Sequence, residues 1–241
     1  MKPLTPGGRT VAAVVVTATL SWSGALLLWW QADLDKWLLV SQNGLRTNAL
    51  VVGVAQAATN YGMAAIVLVQ LAYLMFAFKH ERLRDAYRVY LLVLLSFAVA
   101  GIGGDLLKEI VNRPRPFVEY GGEIIALSHA GTPAFPSGHA TKSVALVLPF
   151  LLLIPARDHW HSGVKLLLAL IALAVCCSRV VLGAHYVSDV LAGIGMALTC
   201  LPLAILLSNR ILGRMTRARL DFAIKVWAAV LLGLMVVLVV M

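Results

Sequence analysis

The sequence predicts an all-α, polytopic membrane helix bundle, and three observations favour this class. Hydrophobic side chains make up 61% of the 241 residues and charged ones only 13%, whereas roughly a quarter of a soluble chain is charged. Mean hydropathy is +0.88. The apolar residues form runs of bilayer length, with basic residues clustered beside them. We therefore expect a single membrane-embedded domain over residues 1–241.

Seven apolar runs account for most of the chain. The first six are expected to form six core transmembrane helices, since each approaches the ~20 residues that cross a bilayer. The seventh contains Lys225 and would form either a seventh, C-terminal span or an interfacial helix. The runs cover residues 11–30, 56–78, 87–107, 140–156, 163–182, 187–207 and 222–241.

The distribution of basic residues predicts the orientation of the bundle. With the N-terminus inside, 13 of the 20 Lys and Arg residues fall in inner segments, in agreement with the positive-inside rule. The other seven lie on the outer side and need a separate explanation. They are Lys36, Arg46, Lys108, Arg113, Arg115, Lys142 and Arg179.

A polar segment, residues 31–55, separates the first two apolar runs. Its sequence DLDKWLLVSQNGLRTN carries too many charged and amide side chains for a span. We expect this segment to lie along the outer interface of the membrane as an amphipathic helix.

Other features of the composition exclude several classes of function. The net charge of +9 arises from clusters that flank the membrane, so no nucleic-acid partner is predicted. Cys176, Cys177 and Cys200 lie within apolar runs without a Cys-x-x-Cys spacing, so neither disulfides nor a zinc site is expected. Gly193 and Gly195 also lie within an apolar run, which predicts close helix packing rather than a phosphate loop.

Three outward stretches concentrate the unexpected polar groups. They are KEIVNRPRP from Lys108, PSGH from Pro136 and SRVVLGAHYVSD from Ser178. Taken singly, each has a structural interpretation: a snorkelling helix end, a helix N-cap or a local hydrogen-bonded pair. Together they supply three cations, two histidines, one carboxylate and a helix N-terminus on one side of the membrane. That set of groups is what phosphoryl transfer requires.

The cations and the helix start are candidates for phosphate binding. Lys108, Arg115 and Arg179 would hold the nonbridging oxygens, the arginines through bidentate hydrogen bonds. Backbone amides around Ser137 and Gly138, at the start of a helix, would add further donors to the anion.

The two histidines and the aspartate are candidates for catalysis. His185 and Asp189 are four residues apart and share a helical face, so the carboxylate would fix the tautomer of a nucleophilic imidazole. His139 would give a proton to the departing oxygen and then accept one from the attacking water.

These stretches resemble the three signature motifs of the type-2 phosphatidic acid phosphatase family in residue type, order and spacing. The matching motifs are Lys108-x6-Arg115-Pro116, Pro136-Ser137-Gly138-His139 and Ser178-Arg179-x5-His185-x3-Asp189. The resemblance covers a motif-bearing core of about residues 85–207. It implies a six-helix membrane phosphatase without metal or other cofactor, with the same residues in the same roles.

The resemblance also suggests a substrate class. Isoprenyl diphosphates, especially undecaprenyl diphosphate, are the leading candidates, since bacterial proteins similar to this chain often act on them. Phosphatidylglycerol phosphate, phosphatidic acid and the phosphates of lipid A are alternatives, because the motifs bind phosphate and not the tail. A transporter of phosphorylated solutes is an alternative of another class.

The expected surroundings follow from the orientation and the substrate. We predict a multi-pass protein of the inner (plasma) membrane whose active site faces the periplasmic or extracellular side. The substrate would approach from within the bilayer, and no obligatory protein partner is inferred.

Several polar residues lie outside this set. His80, His159 and His161 are predicted in inner loops, and His129 is predicted in the long outer loop. Lys142 follows His139 by three residues and would either snorkel, which we favour, or meet a headgroup or second phosphate.

Overall fold

All regular elements of the structure, a computed structural model, are helical. It describes residues 4–78, 83–128, 131–154 and 158–216 and a few isolated positions from 218 to 229. The α-helices are α1 (Gly8–Trp30), α2 (Ala32–Asn43), α3 (Ala49–Phe78), α4 (Leu83–Val111), α5 (Pro116–Glu119), α6 (Gly138–Leu153), α7 (His159–Val181) and α8 (Val187–Arg214), with a 3₁₀ turn at Gly44–Thr47.

The predicted fold class, an all-α membrane bundle, is confirmed. Within the described residues, five helices, α1, α3, α4, α7 and α8, are long and apolar enough to cross a membrane. The sixth predicted span corresponds to α6, which has 16 residues. The seventh apolar run, 222–241, lies almost wholly outside the described residues.

The prediction for residues 31–55 is correct only in part. Residues 32–43 form the short helix α2, but residues 49–55 form the first turns of α3. The face of α2 that packs into the protein carries Asp35, Leu39 and Asn43, one helical turn apart. Two of its polar side chains are therefore buried by contacts with distant parts of the chain.

Close helix packing brings α6 and α8 together at the glycines of α8. A Cβ added at Gly193 would lie 2.7 Å from the carbonyl oxygen of Ser137, and one at Gly195 would lie 2.9 Å from Trp22. Only glycine allows these approaches, as the sequence predicts. The start of α6 thus lies directly against α8.

The C-terminal end of α4 is determined by its sequence. Asn112 adopts a left-handed conformation, with φ 46°, and its amide donates to the carbonyl of Lys108. Asparagine tolerates this C-terminal geometry. Pro116 then starts α5 at a position where a missing N–H has no cost. The chain consequently turns back over the bundle at Arg113–Arg115.

Candidate active site

Six of the eight predicted site residues line one cavity of about 270 Å³ at one end of the bundle. They come from the ends of α4 and α7, the starts of α5 and α6, and the turn between α7 and α8. They are Lys108, Arg115, Gly138, His139, Arg179 and His185. The remaining two, Ser137 and Asp189, are fully buried just behind this lining.

His185 lies between a carboxylate and a guanidinium. Its Nδ1 lies 3.4 Å from Asp189 Oδ2, and its Nε2 lies 3.2 Å from an Arg115 nitrogen. Arginine only donates, so Nε2 must accept, and the proton belongs on Nδ1, facing the acceptor carboxylate. This tautomer directs the Nε2 lone pair toward the cavity side of the ring.

Burial keeps the His185 imidazole neutral. The residue lies in the turn between α7 and α8, outside the spans, and only 2% of its surface is exposed. Desolvation lowers the pKa of His185 to about 4, although the hydrogen bond to Asp189 acts in the opposite direction. At neutral pH the ring is therefore unprotonated.

Asp189 is held on both oxygens. Its Oδ2 accepts from the Tyr186 amide at 3.0 Å as well as facing His185. Its Oδ1 accepts from Arg113 at 2.8 Å. As the third residue of α8, Asp189 also benefits from the positive end of the helix dipole. The orientation of this carboxylate is thus fixed before any ligand binds.

The three predicted cations are held in place by neutral oxygens. Lys108 donates to the carbonyls of Pro133 and Pro136 at 2.8 and 2.7 Å, which leaves one of its three donors. Arg115 donates to the Thr132 carbonyl at 2.7 Å and the Ala184 carbonyl at 3.0 Å. Because none of these partners is charged, the positive charges stay uncompensated by them.

Arg179 is almost completely buried, yet its charge has no carboxylate partner among its described hydrogen bonds. One guanidinium nitrogen donates to Thr59 at 3.0 Å, and two reach the hydroxyl of Ser128 at 3.3 and 3.4 Å. Its Nε has no hydrogen-bond partner within the described part of the chain. A buried donor of this kind normally has a partner, so an anion in the cavity is favoured.

At the start of α6, one of the backbone amides predicted to bind phosphate already has another partner. The amide of Ser137 donates to the carbonyl of Asp189 at 2.9 Å and is therefore not free for an anion. Its hydroxyl neither caps the helix nor finds any partner in the described residues. The amides of Gly138 and His139 belong to the first turn, whose N–H groups have no acceptor within the helix.

The sequence profile of the PAP2 superfamily matches residues 89–213, more than half of the chain. The chain belongs to the PAP2 superfamily. The match includes every residue of the three motifs and therefore all six of the predicted site residues that line the cavity.

Curated PAP2 relatives carry different substrate names. The chain is 33% identical over 112 residues to phosphatidylglycerophosphatase B of Bacillus subtilis, covering 45% of this chain and 52% of that one. It is 38% identical over 101 residues to a lipid A 1-phosphatase of Rhizobium johnstonii, covering 39% and 38%. It is 33% identical over 105 residues to a putative undecaprenyl-diphosphatase of Escherichia coli, covering 42% and 48%. The chain thus spans about half the length, or less, of these relatives.

A solved structure shares the PAP2 fold. The crystal structure of a transmembrane PAP2-type phosphatidylglycerolphosphate phosphatase from Bacillus subtilis superimposes with a TM-score of 0.56. The match covers 86% of this chain and 98% of that one at 21% identity. At this identity the likeness supports the fold alone.

Lys142 lies at the wall of the PAP2 cavity. Its ammonium is 3.7 Å from the carboxylate of Asp105, and both residues line the cavity and stay partly exposed. The side chain therefore reaches the cavity, although the sequence favoured snorkelling.

The other predicted histidines do not join the site. His159 and His161 lie in the first turn of α7, not in a loop, and His161 Nδ1 lies 2.6 Å from its neighbour Asp158. His80 and His129 lie outside the described residues. Among the described residues, no group of three His, Cys, Asp or Glu side chains has an arrangement that would hold a metal ion.

Sequence reasoning missed several residues that support the PAP2 site. Asp35 and Asn43 come from the polar segment, and their only sequence signal is a spacing of two helical turns, with Leu39 between them. Arg113 was noted only as an outward cation, and nothing local distinguishes it from Arg115. Thr59 lies within an apolar run that was predicted as an ordinary span.

Proposed function

We propose that this protein is a lipid phosphatase that works through a phosphohistidine at His185 without a metal ion. The observation that carries the proposal is the buried His185 ring, with Asp189 facing its Nδ1, at the wall of a cavity lined by four cationic side chains. A nucleophile needs an unprotonated nitrogen, and a phosphoryl group needs positive charge around its nonbridging oxygens.

The cations would take the place that a metal ion has in other phosphatases. Arg115 and Arg179 present planar forks to the phosphate oxygens, and Lys108 has one donor left. The amides of Gly138 and His139 and the positive end of α6 add dipoles directed at the anion. These groups stabilise charge that persists through the transition state.

The reaction takes two steps. His185 Nε2 attacks phosphorus, the bond from phosphorus to the departing oxygen breaks, and His139, which must enter this step as the imidazolium, gives that oxygen a proton and becomes neutral. His139 then accepts a proton from water, whose oxygen attacks phosphorus and breaks the P–N bond, releasing inorganic phosphate. The Nδ1 proton stays on His185, hydrogen-bonded to Asp189, throughout.

Isoprenyl diphosphates, especially undecaprenyl diphosphate, are the proposed substrate class. Lys142 supplies a fourth cation at the wall of the cavity, where a second phosphate of the headgroup would extend. The similarity to a putative undecaprenyl-diphosphatase is consistent with this choice. The named activities of the other relatives make phosphatidylglycerol phosphate and the 1-phosphate of lipid A the principal competitors.

The proposed setting is the plasma membrane, inner in a bacterium with two membranes, with the cavity open to the outer side. The supporting observation is the excess of basic residues in the segments on the opposite side. The lipid tail would remain between helices in the bilayer while the headgroup reaches His185.

The substrate proposal is tested by a panel of purified lipids in one detergent. We expect kcat/KM for phosphate release to be highest for an isoprenyl diphosphate and unchanged by EDTA. The comparison set is isoprenyl monophosphate, phosphatidic acid, phosphatidylglycerol phosphate and lipid A. Lys142→Gln should lower kcat/KM by about tenfold more for the diphosphate than for phosphatidic acid.

Each result of the lipid panel tests a different part of the proposal. Lys165→Gln is the control, because Lys165 bonds to the carbonyl of Leu151, near the other end of the bundle. A different lipid at the top of the ranking would overturn the substrate class alone. Activity lost in EDTA and restored by magnesium would overturn metal independence, and phosphate release from none of the lipids would overturn the phosphatase.

The turn that carries His185 offers a second prediction. Gly183 has φ +66°, and a Cβ there would lie 2.9 Å from the Ile125 carbonyl oxygen and 3.0 Å from Asn43 Nδ2. We expect Gly183→Ala to displace His185 and lower kcat by about tenfold to a hundredfold. Steady-state kinetics on the best lipid measures this.

Gly122 provides a matched control for Gly183. It also has positive φ, +96°, but a Cβ there would meet nothing within 4 Å. Gly122→Ala should therefore lower thermal stability through backbone strain, by about 1–2 kcal/mol, and leave kcat unchanged. Equal kcat for the parental protein and Gly183→Ala would contradict the proposed role of the turn.

A further inference from the structure

Arg113 lies between two buried carboxylates behind the proposed nucleophile. One of its nitrogens donates to Asp189 Oδ1 at 2.8 Å and to the Ser188 hydroxyl at 2.7 Å. Another donates to Asp35 Oδ2 at 3.2 Å. Arg113 is not among the residues that line the cavity, so it acts on the site only through Asp189.

Aromatic rings fix the plane of this guanidinium. Its central carbon lies 3.8 Å from the ring centroid of Tyr186 and 4.5 Å from that of Trp29. A cation over an aromatic face is attracted by the ring, most strongly when water is excluded. The rings therefore hold Arg113 in the orientation in which it bridges the two carboxylates.

Asp35 anchors the network from α2. Its side chain is completely buried. Oδ1 accepts from the Ser188 amide at 3.1 Å, and Oδ2 accepts from the Ser188 hydroxyl. The carboxylate of α2 thus binds the first turn of α8 and Arg113 at once. Buried charges persist only when they are paired in this manner.

The two carboxylate oxygens of Asp189 have different partners, and the inference depends on this difference. Arg113 occupies Oδ1, so Oδ2 is the oxygen that faces His185 and the Tyr186 amide. Without Arg113 the carboxylate would be free to rotate about its terminal bond and would keep an uncompensated negative charge. That charge would stabilise a protonated His185, which cannot attack phosphorus.

We propose that Arg113, held by Asp35, is a positioning residue that orients Asp189 and, through it, the His185 ring for attack. This inference rests on the proposed phosphohistidine chemistry, and it adds α2 to the parts of the chain on which the reaction depends. Arg113 touches neither substrate nor reacting atoms.

The test compares Arg113→Gln with Lys36→Gln. Lys36 also lies near the outer end, in an exposed pair with Glu123, and its loss removes the same charge. We expect Arg113→Gln to lower kcat by about tenfold to a hundredfold with KM within about twofold, since no phosphate ligand is lost. Lys36→Gln should match the parental protein.

The pH profile separates positioning from a merely structural effect. We expect the loss of the Arg113 charge to raise the pKa of His185, which would move the acid limb of kcat/KM to higher pH. Arg113→Lys keeps the positive charge but loses the bidentate guanidinium. The acid limb of kcat/KM should therefore return to its parental pH, while kcat stays low. The other charged groups around this dyad are Asp35 from α2, Asp105 and Lys108 from α4, Arg115 just before α5, His139 and Lys142 from α6, and Arg179 from α7.

A readout independent of activity keeps this inference distinct from the proposed function. The pKa of His185 can be followed by ¹⁵N NMR of histidine-labelled protein in detergent, and it should rise in Arg113→Gln even if no lipid is hydrolysed. Should Arg113→Gln fail to fold, Arg113→Lys still tests the loss of kcat with the charge retained, and Asp35→Asn tests the anchor of Arg113. A folded Arg113→Gln protein with parental kcat and parental His185 pKa would overturn the inference.

Discussion

Replacing His185 with alanine should lower phosphate release from the preferred lipid by at least about 10³-fold while lipid phosphate still binds. The nucleophile is lost, but Arg115, Arg179 and Lys108 keep their carbonyl and hydroxyl partners. The predicted result is therefore a protein with little change in substrate affinity and almost no turnover.

Binding and turnover are measured separately for this variant. A competition assay with a nonhydrolysable lipid phosphonate gives affinity, and release of inorganic phosphate gives turnover. Incubation with ³²P-labelled substrate, quenched in base, should label the parental protein on histidine and leave His185→Ala unlabelled. Base is required because a phosphohistidine is lost in acid.

The matched control is the second histidine–aspartate pair of the chain. His161 Nδ1 lies 2.6 Å from Asp158 in the first turn of α7, distant in the fold from the cavity. His161→Ala removes the same kind of pair and should retain parental turnover. If His185→Ala hydrolysed lipid phosphate at the parental rate, the mechanism would be refuted, and transport of phosphorylated solutes would become the stronger reading.

Most of the residues that line the cavity could be predicted because they belong to short sequence motifs. His185 and Asp189 are one helical turn apart, and the sequence spacing alone places them together. The apolar runs also located the helices, since bilayer length is a local property of the chain. The meeting of the three motifs then followed from counting which helix ends share one side of the membrane.

The supporting network could not be predicted because its contacts join distant segments. Asp35 binds Ser188 across 153 residues of sequence, and Asn43 binds the Ile125 carbonyl across 82. No periodicity encodes such partners, and a polar helix beside a membrane is ordinarily interfacial. The prediction for residues 31–55 therefore missed the buried polar side chains of α2, Asp35 and Asn43.

Backbone geometry accounts for the remaining difference at Ser137. A residue before a helix ordinarily offers its side chain to the first turn. Here α8 approaches the start of α6 closely at Gly193. The Asp189 carbonyl of α8 accepts a hydrogen bond from the Ser137 amide. The nucleophile's orienting residue and the phosphate-binding turn are thus joined by one backbone hydrogen bond.

His139→Ala should have an effect that depends on the leaving group. When a lipid monophosphate reacts, the departing oxygen becomes an alkoxide, whose conjugate acid is about as weak an acid as water. An isoprenyl diphosphate instead releases a phosphate monoester, whose second pKa is ~6. The alkoxide needs a proton donor to leave, and the phosphate monoester does not. Loss of His139 as the acid should therefore slow departure of the leaving group far more for a lipid monophosphate than for the diphosphate.

The expected magnitudes follow from the value of general acid catalysis, about 10²–10⁴-fold. We expect the rate of phosphoenzyme formation from phosphatidic acid to fall within that range in His139→Ala, and the rate of phosphoenzyme formation from the diphosphate to fall by about tenfold or less. Because His139 is also the proposed base for water, the phosphoenzyme should accumulate on the diphosphate. A rapid-quench experiment would then show a burst of about one phosphohistidine per enzyme. Equal losses on both substrates, with no burst, would mean that His139 binds phosphate and transfers no proton.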